Sequence, residues 1–209
     1  MSIILKNENK PHYPPLEAGL YPARCYGMIV TGTEYSQMFN NTSTKMVILW
    51  ELPEETIDVD KDGVMTKLPR GMSQTYTLSL NEKANLRKTL ESWRGKAFSD
   101  AELREGFDIA SIIGAPCMLN IIEQERSDGS TFNRISSVTR MPKGMQIGEQ
   151  VNPRIEFDIR DESQPLSIMD KLPEWIQERI RLSDEYKLRI NGNMGSEFSP
   201  ISDDDDLPF

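Results

Sequence analysis

The last seven residues of the chain combine charged and apolar groups in an unusual order. The segment consists of Asp203, Asp204, Asp205, Asp206, Leu207, Pro208 and the terminal Phe209. An acidic end usually only keeps a chain in solution, and an apolar tip after the acids does not serve that purpose. A receptor pocket could take up the Phe209 ring, pair a basic residue with its α-carboxylate and attract the aspartates to a positive rim. These seven residues are therefore predicted to bind partner proteins.

Catalytic groups and metal ligands are scarce in the sequence. The single histidine, His12, leaves no Ser–His or Cys–His nucleophile scheme, and no GxxxxGK[ST] or GxGxxG loop is present to hold nucleotide phosphates. Cys25 and Cys117 lack the CxxC spacing of a zinc site and are expected to be reduced, buried core thiols. The alternating aspartates of residues 58–62 resemble the start of a calcium loop, but Pro69 stands where its last glutamate should be. We expect no enzymatic activity, no metal and no cofactor.

The net charge of −9 is unevenly distributed along the chain. Residues 1–145 contain 17 basic and 18 acidic side chains, whereas residues 146–209 contain 7 and 15. The nearly neutral first part could bind a phosphate backbone if its cations line one groove. No apolar run approaches the ~20 residues of a membrane span, and the N-terminus does not resemble a secretory signal. A cytoplasmic location without membrane association is therefore expected.

The hydrophobic pattern predicts three strands and then helices. Residues 19–31 are rich in β-formers, residues 44–52 form a strand buried on both faces, and residues 71–80 alternate as in a half-buried strand. A short hairpin is predicted around residues 60–63. Asn81 is expected to cap the helix that follows.

The next segment predicts short helices and a closing hairpin. Residues 99–102 fit a capping box, and residues 108–113 form a further helical turn. Two strands, residues 116–125 and 131–140, are joined by a turn at residues 127–130. The order β-β-β-α-β-β is that of an OB-fold, a five-stranded Greek-key barrel, here with a helical insertion between strands 3 and 4.

The chain is predicted to have four regions. These are an N-terminal arm (1–18), an OB-fold domain (19–145), a strand and helix extension (146–190) and a disordered acidic tail (191–209). Within the extension, residues 154–159 are expected to add a strand. Residues 173–190 are expected to form one or two helices with Trp175 and Ile176 among their apolar anchors.

The C-terminal Asp–Asp–Asp–Asp–Leu–Pro–Phe closely resembles the tip of bacterial single-stranded DNA-binding proteins, and several phage-encoded proteins of this kind end similarly. Residues 83–103, KANLRKTLESWRGKAFSDAEL, are similar to phage-encoded replication proteins. The resemblance implies a phage-type OB-fold protein in the bacterial host cytoplasm. Such a protein would protect single-stranded DNA during replication and recombination without sequence preference. Its tip would recruit replication or recombination proteins and compete with DNA for the groove.

Binding a single strand requires aromatic faces for bases and cations for phosphates. In OB-folds the contacts lie on strands 2 and 3 and in the loops that join strands 1–2 and 4–5. The predicted DNA contacts are Arg24, Tyr26, Tyr35, Phe39, Lys45, Trp50, Tyr76, Arg94, Lys96, Phe132 and Arg134. Core packing is the alternative for Trp50 and Tyr76, and solvated surface is the alternative for Arg94 and Lys96. The oligomeric state stays open, with a dimer favoured.

A second hypothesis for the function depends only on the acidic character of the chain. A protein-interaction adaptor or DNA mimic would act through its C-terminal part and would not bind DNA. The basic and aromatic residues interleaved in the first part favour DNA binding instead.

Overall fold

The computed structural model describes residues 14–37, 40–61 and 64–194, and it is mainly β, with 43% strand. Its strands are β1 (Gly19–Ser36), β2 (Asn41–Lys61), β3 (Val64–Thr77), β4 (Pro116–Glu125), β5 (Thr131–Thr139) and β6 (Ile155–Asp158). Its α-helices are α1 (Asn85–Arg94), α2 (Asp100–Glu105), α3 (Glu174–Leu182) and α4 (Asp184–Met194), and short 3₁₀ helices cover Ile109–Ile112 and Leu166–Lys171. None of the helices in the described part of the chain has the length and apolar character needed to cross a membrane.

The strands form one sheet in the order β3-β2-β1-β4-β5, and β6 pairs with β1 outside this path. β1 and β4 are antiparallel, as are β4 and β5, whereas β6 runs parallel to β1. The predicted mainly β class and the element order β-β-β-α-β-β are confirmed. The strand predicted at residues 154–159 is present as well, and the one or two helices predicted over residues 173–190 are two, α3 and α4.

The first three strands differ from their predicted bounds: β1 and β2 continue beyond their predicted ends, and β3 begins earlier and ends at Thr77 instead of residue 80. β2 continues past residue 52 to Lys61 and β3 begins at Val64, so the two form one long hairpin. The extension follows from an alternation in which Ile57 and Val59 are half-buried and Asp58 and Asp60 are exposed. An alternation with a period of two indicates a strand. It was overlooked in the sequence because the exposed positions are acidic and made the segment resemble a loop. Residues 62–63 of the predicted turn lie outside the described residues.

The start of α1 was predicted wrongly. Asn81 does not cap this helix, because residues 81–84 form a turn in which the Ala84 amide donates to the Asn81 carbonyl at 2.9 Å. The capping box of α2 is confirmed: the Ser99 hydroxyl accepts from the Glu102 amide at 3.2 Å, and the Glu102 carboxylate accepts from the Ser99 amide at 2.8 Å. These reciprocal bonds satisfy donors that a helix start leaves open.

The described chain divides into two compact units, of which the first contains Met1–Tyr26, Leu49–Gln74 and Lys88–Arg154. Here the first half of β1 pairs with β4, and β4 pairs with β5 through a bulge after Asn120. The buried side chains at its centre are Ala23, Cys25, Leu49, Trp50, Leu52, Leu90, Trp93, Cys117, Leu119, Ile121, Ile135 and Val138. The prediction that both cysteines are buried is confirmed, and burial raises the pKa of the Cys117 thiol.

The second unit contains Gly27–Ile48, Thr75–Arg87 and Ile155–Phe209. Helix α4 is anchored on β1 by Glu185, whose carboxylate accepts from the Thr33 amide and hydroxyl, both at 2.7 Å. Burial opposes ionisation of Glu185, but these bonds outweigh it and lower the pKa of the carboxyl. Gly32 has a φ of +98°, and a Cβ there would lie 2.5 Å from that of Ser183, so only glycine allows this close approach.

Candidate nucleic-acid interface

Two adjoining cavities in the second unit share Glu34, Tyr35 and Arg179 as lining residues. The larger, of about 530 Å³, continues along α3 and the start of α4. The smaller, of about 440 Å³, continues over the start of β2 and the end of β3. Together these cavities are called the Tyr35 groove below. Because the two cavities share three lining residues, one extended ligand could contact both.

Two aromatic rings are exposed in the Tyr35 groove. Tyr35 is 59% exposed at the end of β1, and Trp175 is 43% exposed in the first turn of α3. The Tyr35 hydroxyl donates to the Asn40 side chain at 2.6 Å, which restricts the orientation of the ring. Exposing a large aromatic ring to water is unfavourable. Exposed rings that share one groove commonly serve as surfaces on which nucleic-acid bases stack.

Acidic and basic side chains are equally numerous among the lining residues of the Tyr35 groove. Lys45 donates to the Thr77 hydroxyl at 2.8 Å, and Lys187 lies 3.6 Å from the Asp184 carboxylate. Arg179 forms an ion pair with Glu34, and Glu178 also lines the larger cavity. The groove therefore combines surfaces for stacking with a net charge near zero. Its affinity for a polyanion depends on whether the ligand can displace the acids from the cations.

Of the two exposed rings, only Tyr35 was predicted from the sequence as a DNA contact. Tyr35 was predicted as a contact in a loop, and it lies at the end of the extended β1. Trp175 was assigned to the apolar face of its helix, but Ile176 and Ile180 form the buried stripe of α3 and Trp175 falls beside it. The i, i+4 spacing of the two isoleucines was the available signal. Phe39, the other predicted loop aromatic, lies outside the described residues.

Trp50 and Tyr76 are core residues, which corrects their prediction as DNA contacts. Trp50 has no exposed surface, and its ring packs against Trp93 in the first unit at a centroid distance of 5.9 Å. Tyr76, in the second unit, is 4% exposed. A base needs an open ring face, and neither side chain offers one. Each ring lies on a strand face that was predicted to be apolar. Of the two roles considered for Trp50 and Tyr76, core packing is therefore the one observed.

Arg94 is held inside the first unit and is not free to bind a phosphate. Its side chain is 9% exposed and forms an ion pair with Glu102. Its guanidinium stacks on the rings of Phe98 and Phe107, 4.5 and 4.6 Å from their centroids. Lys96 is 67% exposed, with its ammonium 3.9 Å from the same carboxylate. Of these two predicted DNA contacts, only Lys96 is therefore well exposed at the surface.

Arg24 and Glu51 together hold one loop of the first unit. Arg24 donates to the Gly114 carbonyl at 2.7 Å and to the Gly148 carbonyl at 3.1 Å. Glu51 is fully buried, and its carboxylate accepts from the Val151 amide at 2.8 Å and from the Asn152 amide and side chain at 2.8 and 2.7 Å. These three hydrogen bonds satisfy the oxygens of a side chain that has no access to water. These hydrogen bonds hold Arg24 and Glu51 in the fold, and the prediction of Arg24 as a DNA contact stays a prediction.

Tyr26 is partly buried in the first unit. Burial, reinforced by the Glu51 carboxylate and Cys25, raises the pKa of its hydroxyl to about 12. Nothing in this environment selects a nucleic acid, and the predicted contact stays a prediction.

The β4–β5 hairpin carries a second aromatic and basic cluster, in the first unit. The Arg126 guanidinium lies over the Phe132 ring at 4.5 Å, and Arg134 donates to the Gln124 side chain at 3.4 Å. Phe132 is half-buried and Arg134 is exposed. This surface suits contacts to a strand, and both residues stay predictions.

Metal binding finds no support in residues 14–37, 40–61 and 64–194, where no group of three or more His, Cys, Asp or Glu side chains could hold an ion. The acidic tip, Asp203–Phe209, lies outside the described residues. No protein-family model matches the chain, and no curated protein matches it either.

Proposed function

We propose that the protein binds single-stranded DNA without sequence preference through the Tyr35 groove, as a binding protein rather than an enzyme. The observation that carries the proposal is the pair of exposed rings, Tyr35 and Trp175, that line one groove together with lysine and arginine side chains. Every base has a flat face, so stacking accepts any sequence and contributes roughly 1–3 kcal/mol per base. A duplex keeps its bases stacked on one another and offers no such face.

The sheet agrees with an OB-type barrel in the order of its elements and in the pairing of β1 with both β2 and β4. In such folds, the loop between the first two strands is a regular part of the binding surface. Tyr35 lies directly before that loop and Lys45 shortly after it. Within this proposal the protein is a phage-type member of the single-stranded DNA-binding proteins and acts in replication or recombination in a host cytoplasm.

The test is a titration of the full chain with fluorescent oligo-dT and with a duplex of the same length, at low and moderate salt. Trp50 and Trp93 are 0% and 4% exposed and Trp175 is 43% exposed, so a bound strand can contact and quench mainly Trp175. We expect binding to oligo-dT with quenching of tryptophan fluorescence, and little binding to the duplex. Trp175→Phe is expected to remove most of the quenching. If neither nucleic acid binds, the proposal is wrong and the acidic adaptor becomes the better hypothesis.

A second prediction concerns the tip, which we propose recruits replication or recombination proteins. Deleting Asp203–Phe209 removes four negative charges and the terminal ring. Binding of oligo-dT should be retained or tightened, because an anionic competitor is lost. Capture of a replication or recombination protein by the immobilised chain should be lost. A truncated chain that stays folded and no longer binds oligo-dT would contradict this division of roles.

A further inference from the structure

The strongest ion pair in the Tyr35 groove joins Arg179 of α3 to Glu34 of β1. Both carboxylate oxygens of Glu34 accept from the guanidinium, one from Nε and the other from Nη2 at 2.9 Å. The remaining nitrogen, Nη1, donates to the Thr75 hydroxyl at 2.9 Å. A planar guanidinium bound by two parallel hydrogen bonds to an anion is also the geometry in which arginine binds a phosphate.

The pair lies where a strand would have to pass. Arg179 and Glu34 line both cavities of the groove, between the end that holds Trp175 and the end that holds Lys45. Their side chains are 29% and 25% exposed, so an incoming ligand can reach them. A phosphodiester at this point meets an arginine that is already neutralised and a carboxylate that repels it.

Resting on the proposed function, we propose that Arg179 is a latent phosphodiester site that Glu34 holds closed when no strand is bound. Strand binding exchanges one anion for another at the same guanidinium, and the displaced carboxylate moves toward solvent. Ion pairs between partly exposed side chains add little to stability, so the exchange requires no unfolding. The displaced Glu34 carboxylate still repels the bound strand, so the affinity for single-stranded DNA is lower than the rings and cations alone would give. This repulsion favours release of the strand.

The test compares Glu34→Gln with Glu178→Gln in the full chain. Both changes remove one negative charge from the same groove, but only Glu34 is bound to Arg179. Glutamine keeps an oxygen that can accept from Arg179, so α3 stays anchored to β1. We expect E34Q to bind oligo-dT about three- to tenfold more tightly, because the strand no longer has to displace a carboxylate. Its salt dependence should be steeper by ~0.7 in log–log slope, because no freed carboxylate takes up a counterion when one phosphate of the strand releases its own. E178Q should change both quantities much less.

Two further measurements separate this inference from the proposed function. Inorganic phosphate at millimolar concentration should raise the Tm of E34Q more than that of the native chain or E178Q, with no DNA present. The double variant E34Q/R179Q should lose the gain in affinity, because the site itself is gone. Equal affinity and salt slope for E34Q and the native chain would overturn the inference and leave the proposed function intact. If phosphate binds E34Q while no variant binds oligo-dT, the proposed function fails and the anion site remains.

Discussion

Alanine at both Tyr35 and Trp175 is expected to abolish most of the binding to oligo-dT. Each ring is more than 40% exposed in the groove, and stacking on one base contributes roughly 1–3 kcal/mol, which corresponds to about a 5- to 150-fold loss of affinity per ring. The loss should be similar at low and moderate salt, because the rings carry no charge. Equilibrium titration of the single and double variants with a labelled oligonucleotide measures the effect directly.

Matched controls distinguish stacking from a general change in structure. Tyr35→Phe and Trp175→Phe keep an aromatic face and should retain most of the native affinity. Tyr35 is 59% exposed, so its alanine variant should melt close to the native temperature, whereas Trp175→Ala should lower Tm more because over half of that side chain is buried. A double alanine variant that binds oligo-dT as tightly as the native chain would place the strand elsewhere, with the β4–β5 hairpin as the next surface to test.

Trp50→Ala is expected to cost about 3–5 kcal/mol of unfolding free energy, as large aromatic truncations in a core do. Trp50 is fully buried and packs against Trp93, and its indole nitrogen finds no hydrogen-bond acceptor among the described residues. Trp50→Phe should therefore be much less costly, since it removes that buried unpaired donor while keeping a ring. Urea unfolding followed by circular dichroism provides the comparison.

The Trp50 variants also test the correction to the sequence-based prediction. Trp50→Phe should bind oligo-dT with native affinity, because the side chain has no surface in the interface. The opposite pattern, native stability with impaired binding in Trp50→Ala, would show that the ring contacts the strand. Substitution of Trp50 is thus expected to lower the free energy of unfolding, and substitution of Trp175 is expected to lower the affinity for oligo-dT.

Local signals made several elements predictable. The capping box of α2 pairs Ser99 with Glu102, three residues apart, so both partners are readable in the sequence. The β4–β5 turn is equally local: the Arg126 amide donates to the Ser130 carbonyl at 2.8 Å, and Asp128 accepts from the Ser130 amide at 2.9 Å. Interactions over three or four residues do not depend on the rest of the fold. The element order β-β-β-α-β-β was likewise predicted from short-range patterns, namely the spacing of apolar residues and the residues that form turns.

The accessibility of each aromatic and basic side chain was decided by tertiary structure. Trp50 and Trp175 have the same chemistry, and only the packing of distant segments buries one ring and leaves the other open. Arg94 was predicted to bind phosphate from its neighbours in the chain, but Glu102, Phe98 and Phe107 enclose its guanidinium. The sequence thus determined which groups could bind a strand. Burial is a sum over long-range contacts, so only the fold decided which of them face solvent together.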